Sequence, residues 1–277
     1  MDASAFRTVH PREFCGRFLA RGVRPDGRAL LRPRHVSATS SVVGSAAGSA
    51  AGSAMLKLGR TMVLAGVQLE ATPPSEGEPS SGRVVVGLEV AAVASAGDDT
   101  STAGGGGRSE REHAALLELL QGTAATLVPP DALCIAEGKA VWTAYVDLYV
   151  LEHDGNLADA AVLALARALG DTRLPRVKVE AEGGALVVAE EAALPLPLGP
   201  APLAVSFGVL DGQLLLDPTR EEESLVSTGF TVLVDADAAF AGLHKPGGAP
   251  LDDDLLARAT QAARERAPQL RAVLLAS

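Results

Sequence analysis

The densest group of chemically competent side chains in this sequence is acidic: Asp217, Glu221, Glu222 and Glu223. Carboxylates so close together can hold a divalent cation or share a proton. A plainer reading is preferred, because Asp217-Pro218-Thr219 follows an apolar run and starts a turn, after which the consecutive acids form a solvated loop. His10, His35, His113, His153 and His244 have no metal-ligand spacing, and the two cysteines, Cys15 and Cys134, suggest neither a disulfide nor a zinc site. No nucleophile elbow or phosphate-binding P-loop is present, and Gly104 to Gly107 lacks the strand-to-helix context that a phosphate cradle needs. Lys245-Pro246-Gly247-Gly248 could meet phosphate through its ammonium and backbone amides, yet it reads more simply as a strand-to-helix turn. Arg108 and Arg111 could touch a nucleic-acid backbone, or, beside Glu110 and Glu112, be surface arginines at a helix start. Trp142 lies inside an apolar run and is assigned to the core rather than to base stacking.

These residues need elements to position them. Phe14, Phe18 and Leu19 share one face of a short helix that begins at Pro11 and ends at Gly22, and Arg24-Pro25-Asp26-Gly27-Arg28 is a tight turn. A Gly/Ala/Ser repeat at 44–53 is read as an expanded surface loop, since such small side chains fill no core. Apolar runs on either side of Gly59-Arg60 predict a hairpin, Arg83 to Val93 a further strand, and the Gly-rich stretch 97–108 a mobile loop. A helix is expected from Glu110, with acids in its first turn, as far as Pro129-Pro130. Then come a strand at Ala140 to Leu151, the turn Asp154-Gly155, and an Ala/Leu helix from Leu157 to Leu169 closed by Gly170. Beyond Pro175 the pattern is one of hairpins, pivoting on Gly183-Gly184, on Asp211-Gly212 and near Asp235 to Asp237. A last helix starts at Leu251 and is expected to kink or end at Pro268. The order predicts an α+β fold with mostly antiparallel sheets: an N-terminal arm and helix (1–23), a first half (24–175) and a C-terminal half (176–277).

The 277 residues suffice for a sizeable core, which must be aliphatic because aromatics make up only 3% of the chain. No run reaches the roughly 18 apolar residues of a membrane-spanning helix, so a soluble protein of a reducing compartment is expected. The net charge of −10 opposes unaided binding to a polyanion. It is unevenly spread: residues 1–35 hold eight arginines against three acids, a balance of +5, which leaves −15 for the rest. An Arg-rich arm on an acidic body suits an acidic partner, or RNA that other subunits also hold; a merely solvated arm is the alternative.

Several separated motifs occur in a recognisable order. Arg24-Pro25-Asp26-Gly27-Arg28, Gly52-Ser53-Ala54, Lys57-Leu58-Gly59 and the run from Thr61 to Val67 resemble the opening of RNase PH-like proteins. Asp154-Gly155-Asn156 with Asp159-Ala160, and Asp217-Pro218-Thr219 with the following glutamates, resemble the non-catalytic ring subunits of the eukaryotic RNA exosome. Phe6-Arg7-Thr8-Val9, Leu133-Cys134-Ile135, Tyr145-Val146-Asp147-Leu148 and His244-Lys245-Pro246-Gly247-Gly248 look most like the forty-three type of these subunits, called exosome component eight in the human scheme. The resemblance implies the RNase PH-like fold (ribosomal protein S5 domain 2-like), a pair of related α+β halves, and assembly with other RNase PH-like subunits into a six-membered ring. It further implies S1/KH-type cap subunits, an associated exoribonuclease, RNA in the ring channel with Arg108, Arg111 and Lys245 as candidate contacts, no cofactor, no membrane, and a nuclear, nucleolar and cytoplasmic location.

Active relatives carry roughly Asp-Gly-Gly-Thr-Arg-Thr before the middle helix, which supplies hydroxyls, a cation and helix amides to phosphate. This chain has Asp154-Gly155-Asn156-Leu157-Ala158-Asp159. Hydroxyls are lost at Leu157 and Asp159, the cation is lost at Ala158, and Asp159 adds a charge that would repel phosphate by about 4 kcal/mol at about 4 Å. Asp159 is read instead as an acid stabilising the helix N-terminus. The second metal-binding acid of active subunits falls near Thr228. The expectation is a chain with no catalytic residues and no metal site; a phosphate-dependent exoribonuclease and a free-standing RNA- or protein-binding module are the rivals.

Overall fold

The computed structural model describes residues 3–43, 50–91, 106–179, 186–188 and 192–275. In chain order come helices α1 (Ala3–Val9) and α2 (Pro11–Leu19), then strands β1 (Val36–Ser40), β2 (Gly52–Leu58), β3 (Thr61–Thr72) and β4 (Arg83–Val90). Helix α3 (Gly106–Leu127) and a 3-10 turn (Pro130–Leu133) lead to β5 (Cys134–Ala136), β6 (Ala140–Glu152) and α4 (Leu157–Asp171). The second part holds β7 (Arg173–Leu174), β8 (Val177–Val179), β9 (Leu186–Val188), β10 (Leu194–Pro195), β11 (Leu203–Leu210), β12 (Gln213–Leu216), α5 (Arg220–Glu223), β13 (Thr228–Val234), β14 (Phe240–His244) and α6 (Asp253–Leu275).

Alternation of apolar and polar residues builds two curved sheets. The first runs β1-β2-β3-β6-β4 with β5 on the side of β6, and only the β4–β6 pair is parallel. The second runs β12-β11-β13-β14, antiparallel throughout. Helix α4 is apolar on almost every side, the pattern of a helix with no solvent face. It packs on β2 and β3 of one sheet and on β11 of the other, so one buried cluster extends from Val36 to Leu270. The architecture is the expected α+β arrangement with mostly antiparallel sheets.

Several local expectations need correction. Gly52 and Ser53, the end of the small-residue repeat, are buried in β2 and not looped out; positions 44–49 lie outside the described residues. The absence of a side chain is what Gly52 contributes, because a Cβ there would lie 2.5 Å from Thr172 Oγ1 and 2.7 Å from the Ala168 carbonyl. Gly52→Ala should therefore destabilise the fold by about 1–3 kcal/mol through overpacking, read as a shift of the urea midpoint; an unchanged midpoint would contradict this packing.

Helix α3 begins at Gly106, before the expected Glu110, so Glu110 is not in its first turn. The stretch 97–105 and the turn at Gly183-Gly184 lie outside the described residues. Helix α4 runs through Gly170 to Asp171, because the Asp171 carboxylate accepts from the Ser41 and Ser53 amides (3.1 and 3.0 Å) and ties the last turn to the sheet. Likewise α6 runs through Pro268 to Leu275, its buried Ala263, Ala267 and Leu270 holding it to the core despite the missing amide.

The Arg-rich arm docks on this chain's own C-terminal half. Cys15 and Leu19 of α2 pack on Leu210 and Leu215 at the β11–β12 hairpin, and exposed pairs Arg7–Glu221 and Arg12–Asp211 flank them. The acidic partner expected from the charge asymmetry is thus supplied within the molecule.

Candidate functional site

Two turns meet where the sheets join. The β6–α4 turn, Asp154 to Asn156, lies against the β12–α5 turn, Asp217 to Arg220. Gly155 has φ +85°, and a Cβ on it would fall 2.4 Å from the Arg220 amide, so only glycine permits this contact. Asn156 (φ 54°) caps α4 and Asp217 has φ 55°, conformations that Asn and Asp tolerate better than most residues. Backbones held in this way bring the acids of both turns into a single polar network.

Asp217 is at its centre and is only 1% exposed. Its Oδ2 accepts from the Arg34 amide (2.7 Å), Arg34 Nε (3.0 Å) and Arg28 Nη1 (3.2 Å), while Oδ1 accepts from Arg34 Nη2 and Asn156 Nδ2 (both 2.7 Å). Burial pushes the Asp217 carboxyl up, but the Arg34 hydrogen bonds and charge outweigh it and hold it below the usual carboxylate range. Arg34 also donates to the Asp154 carbonyl (2.7 Å), bridging both turns.

Below this lies a second ion pair. Arg24 is fully buried and donates to both oxygens of Glu222 and to the carbonyls of Leu216 (2.7 Å) and Asp217 (3.0 Å). Glu222 completes a capping box with Thr219 at the start of α5. Glu223 accepts the Asn156 amide (2.7 Å). The acids after Asp217 are therefore not a solvated loop: Glu221 alone is exposed, and Glu222 and Glu223 are structural ligands of the arm and of α4.

Asp159 also departs from the sequence reading. It is buried, and its carboxylate reaches across to the second sheet, accepting from Ser206 Oγ (2.7 Å) and the Ser206 amide (3.2 Å) as well as from Asn156 Nδ2 (2.8 Å). Ser206 in turn contacts Thr231 Oγ1 at 2.8 Å. Asp159 is an acid of the first turn of α4 and in addition ties that helix to β11 of the second sheet. Burial raises Asp159 to about 7 and Glu223 to about 7, against hydrogen bonds that lower both.

The sign of the resulting pH effect follows by linkage. The native state keeps the Asp159 and Glu223 protons where the unfolded chain, with ordinary values of 3.8 and 4.5, has released them. Their stabilising contribution is complete below those values and is lost as pH rises through about 7. Asp217 acts oppositely, stabilising above its ordinary value and losing that contribution as pH falls through its lowered one. Thermal midpoints should peak at mildly acidic pH and decline towards pH 8, with Asp159→Asn flattening the decline; a midpoint that climbs from pH 5.5 to 8 would refute this.

Leu157 and Ala158, on the first turn of α4, are half-buried against the core. Thr228 is buried at the start of β13 and donates to the Gly247 carbonyl (3.2 Å), which brings it beside the Lys245 turn. Lys245 Nζ donates to the Gly247 and Gly248 carbonyls (2.8 and 3.2 Å), so its ammonium closes its own turn. Arg108 lies in the first turn of α3 with its side chain outside the described residues, and Arg111 is exposed on the same helix. Trp142 is a core residue at 8% exposure. Sequence reasoning missed Arg24, Arg28 and Arg34 as partners of the acids; the signal was the +5 arm beside a −15 body.

Phosphate and a divalent cation, which the resemblance attributes to active relatives, do not fit the residues present. Both Asp217 oxygens are taken by cationic or amide donors, and the Asn156 amide is taken by Glu223. Among the described residues no group of three or more His, Cys, Asp or Glu is arranged to hold a metal ion.

Residues 34–175 match domain 1 of the 3′ exoribonuclease family, RNase PH, and residues 201–266 match domain 2. The chain is 32% identical over 249 residues to the exosome complex component Rrp42 of Methanothermobacter thermautotrophicus, covering 89% of this chain and 88% of that protein. It is 28% identical over 265 residues to the exosome complex component rrp43 of Schizosaccharomyces pombe, covering 95% and 94%. Among solved structures, a chain of the Archaeoglobus fulgidus exosome with RNA bound to the active site superimposes with a TM-score of 0.77 at 29% identity, covering 94% of this chain and 96% of that one. Two matched domains in order, on a fold that joins two sheets through one buried helix, make this chain a member of the RNase PH family of 3′ exoribonucleases.

Proposed function

We propose that this chain is a non-catalytic subunit of the RNase PH-like ring of a eukaryotic RNA exosome, of the forty-three type. In that role it supports 3′-to-5′ RNA processing and decay by helping to guide RNA to an exoribonuclease associated with the ring. Relatives named as exosome components along nearly the whole chain support the ring assignment. The motifs from Phe6 to Gly248 are the ground for the finer type. The observation that carries the absence of catalysis is the sequestered Asp217 carboxylate, whose oxygens are bound by Arg34, Arg28 and Asn156 and so offer no lone pair to a cation.

In this reading the partners are other RNase PH-like subunits, cap subunits of S1/KH type, and RNA in the channel. Arg108 and Arg111 are its proposed backbone contacts, whereas Lys245 would have to release two carbonyls first. Nuclear, nucleolar and cytoplasmic pools complete the proposal.

The test is phosphorolysis of a 3′-labelled RNA with inorganic phosphate and Mg²⁺, by the isolated protein and by the ring reconstituted without its hydrolytic exoribonuclease. No nucleoside diphosphate is expected from either. Its release by the isolated protein would establish the enzyme instead. A protein that stays monomeric when mixed with the RNase PH-like subunits of its organism would point to a free-standing module.

A further inference from the structure

The first sheet has two faces, and among the described residues the helices cover only one. Ala54, Leu56, Val63, Val146 and Leu148 turn inward to the core beneath α3 and α4. The alternate residues of the same strands point outward, and the register lines them up across the sheet. Leu64 pairs with Tyr149; the next row sets Gly66, Asp147 and Gly87 side by side; the row beyond pairs Tyr145 with Val85. Tyr149 and Val85 are 41% and 40% exposed, large apolar areas for an uncovered surface.

The middle row is unusual in composition. Asp147 makes no hydrogen bond or ion pair among the described residues, and its carboxylate lies over Gly87, where a Cβ would be 2.6 Å from Oδ1. Gly66, on its other side, has an ordinary backbone, and a Cβ there would meet nothing within 4 Å. The fold itself does not require glycine at 66. What glycine leaves is a flat strip beside an unpaired carboxylate, walled by Tyr145 and Tyr149, the residues two before and two after Asp147 on β6.

A guanidinium matches this geometry. It is planar, forks onto a carboxylate through two N–H groups, and is attracted to the faces of phenol rings. Tyrosines beside a central charge, here the half-buried Tyr145 and the exposed Tyr149, are also the composition of interface hot spots. The negative charge of Asp147, with Glu89 opposite Tyr149, opposes an RNA backbone at the same place.

We propose that this face is a protein-docking surface on which a neighbouring ring subunit inserts an arginine between Tyr145 and Tyr149, its guanidinium forked onto Asp147. The proposal rests on the ring reading above and adds the face and the recognising chemistry.

The experiment mixes the full chain with the RNase PH-like subunits of its organism and follows assembly by light scattering and by equilibrium titration. Tyr149→Ala and Asp147→Asn should each weaken assembly by about thirty-fold, a hot-spot loss. Asp147→Lys and Gly66→Gln should abolish it, the first by repulsion and the second by filling the strip. The three positions lie on the outward face of the sheet, Tyr149 exposed and Gly66 and Asp147 half-buried, so the variants should melt close to the wild type, and Phe240→Ala, on the exposed edge of the second sheet, should assemble normally. Wild-type assembly by all four variants would overturn the docking proposal and leave the ring reading standing. A wild-type chain that joins no subunit would remove the ring reading and this proposal with it. Loss of oligouridine binding in Tyr149→Ala, with assembly unchanged, would make the face an RNA surface and also overturn the proposal.

Discussion

Asp217→Ala should cost about 3–5 kcal/mol of folding stability, because it leaves the guanidinium of Arg34 without its buried carboxylate, with only the more exposed Asp154 at 3.5 Å, in a site that is nearly closed to water. The side chains of Arg34 and Asp217 are 9% and 2% exposed, so solvent cannot replace the lost partner. Arg28 Nη1 and Asn156 Nδ2 lose an acceptor in the same step. Urea denaturation of the isolated protein would measure the effect as a large fall in midpoint. A loss below about 1 kcal/mol would mean that the pair behaves as a surface salt bridge, and the account of Asp217 as the centre of the junction would fail.

Arg24→Ala should be similarly severe, at about 3–5 kcal/mol, for a related reason. It removes a fully buried side chain, leaves Glu222 as a buried anion without a cation, and takes the Arg24 donor from the Leu216 carbonyl, while the Asp217 carbonyl keeps Arg28 Nη1 at 3.2 Å. The two arginines differ in one testable respect. Replacing Arg24 and Glu222 together by Met should recover part of the loss, since it removes both charges and keeps the volume, though the Leu216 carbonyl still lacks its Arg24 donor. A double variant as unstable as Arg24→Ala would assign the cost to the lost carbonyl hydrogen bond rather than to the unpaired charge.

Much of the architecture was legible in the sequence because it depends on local pattern. The Gly59-Arg60 and Asp211-Gly212 hairpins and the long strand from Ala140 fell where alternation and turn chemistry placed them. Errors arose where tertiary contacts overrode local preference. Gly170 did not end its helix because Asp171 is tied to β2, and Pro268 did not end the last helix because its neighbours are buried on both sides. Gly52 looked like loop because its neighbours in sequence are small, whereas its neighbour in space, Thr172, is what demands glycine.

The candidate site was legible only in part, and the reason is again distance along the chain. Resemblance identified Leu157, Ala158, Asp159 and Thr228 as positions of interest. Nothing local to the run after Asp217 distinguishes a solvated acidic turn from one that holds buried arginines. The decisive partners, Arg24 and Arg34, lie 198 and 183 positions away from Glu222 and Asp217. Charge imbalance between arm and body showed that such partners were needed, but not which acids they would take.

That separation also bears on the order in which the molecule can be completed. The arm leaves the ribosome well before its apolar seat on Leu210 and Leu215 and its ion-pair partners Asp217 and Glu222 are synthesised. Until then Arg24, destined for complete burial, must remain hydrated, and Cys15 and Leu19 uncovered. Closure of the arm is therefore a late, high-contact-order event, so the nascent chain passes through a stage in which its first helices are available to chaperones.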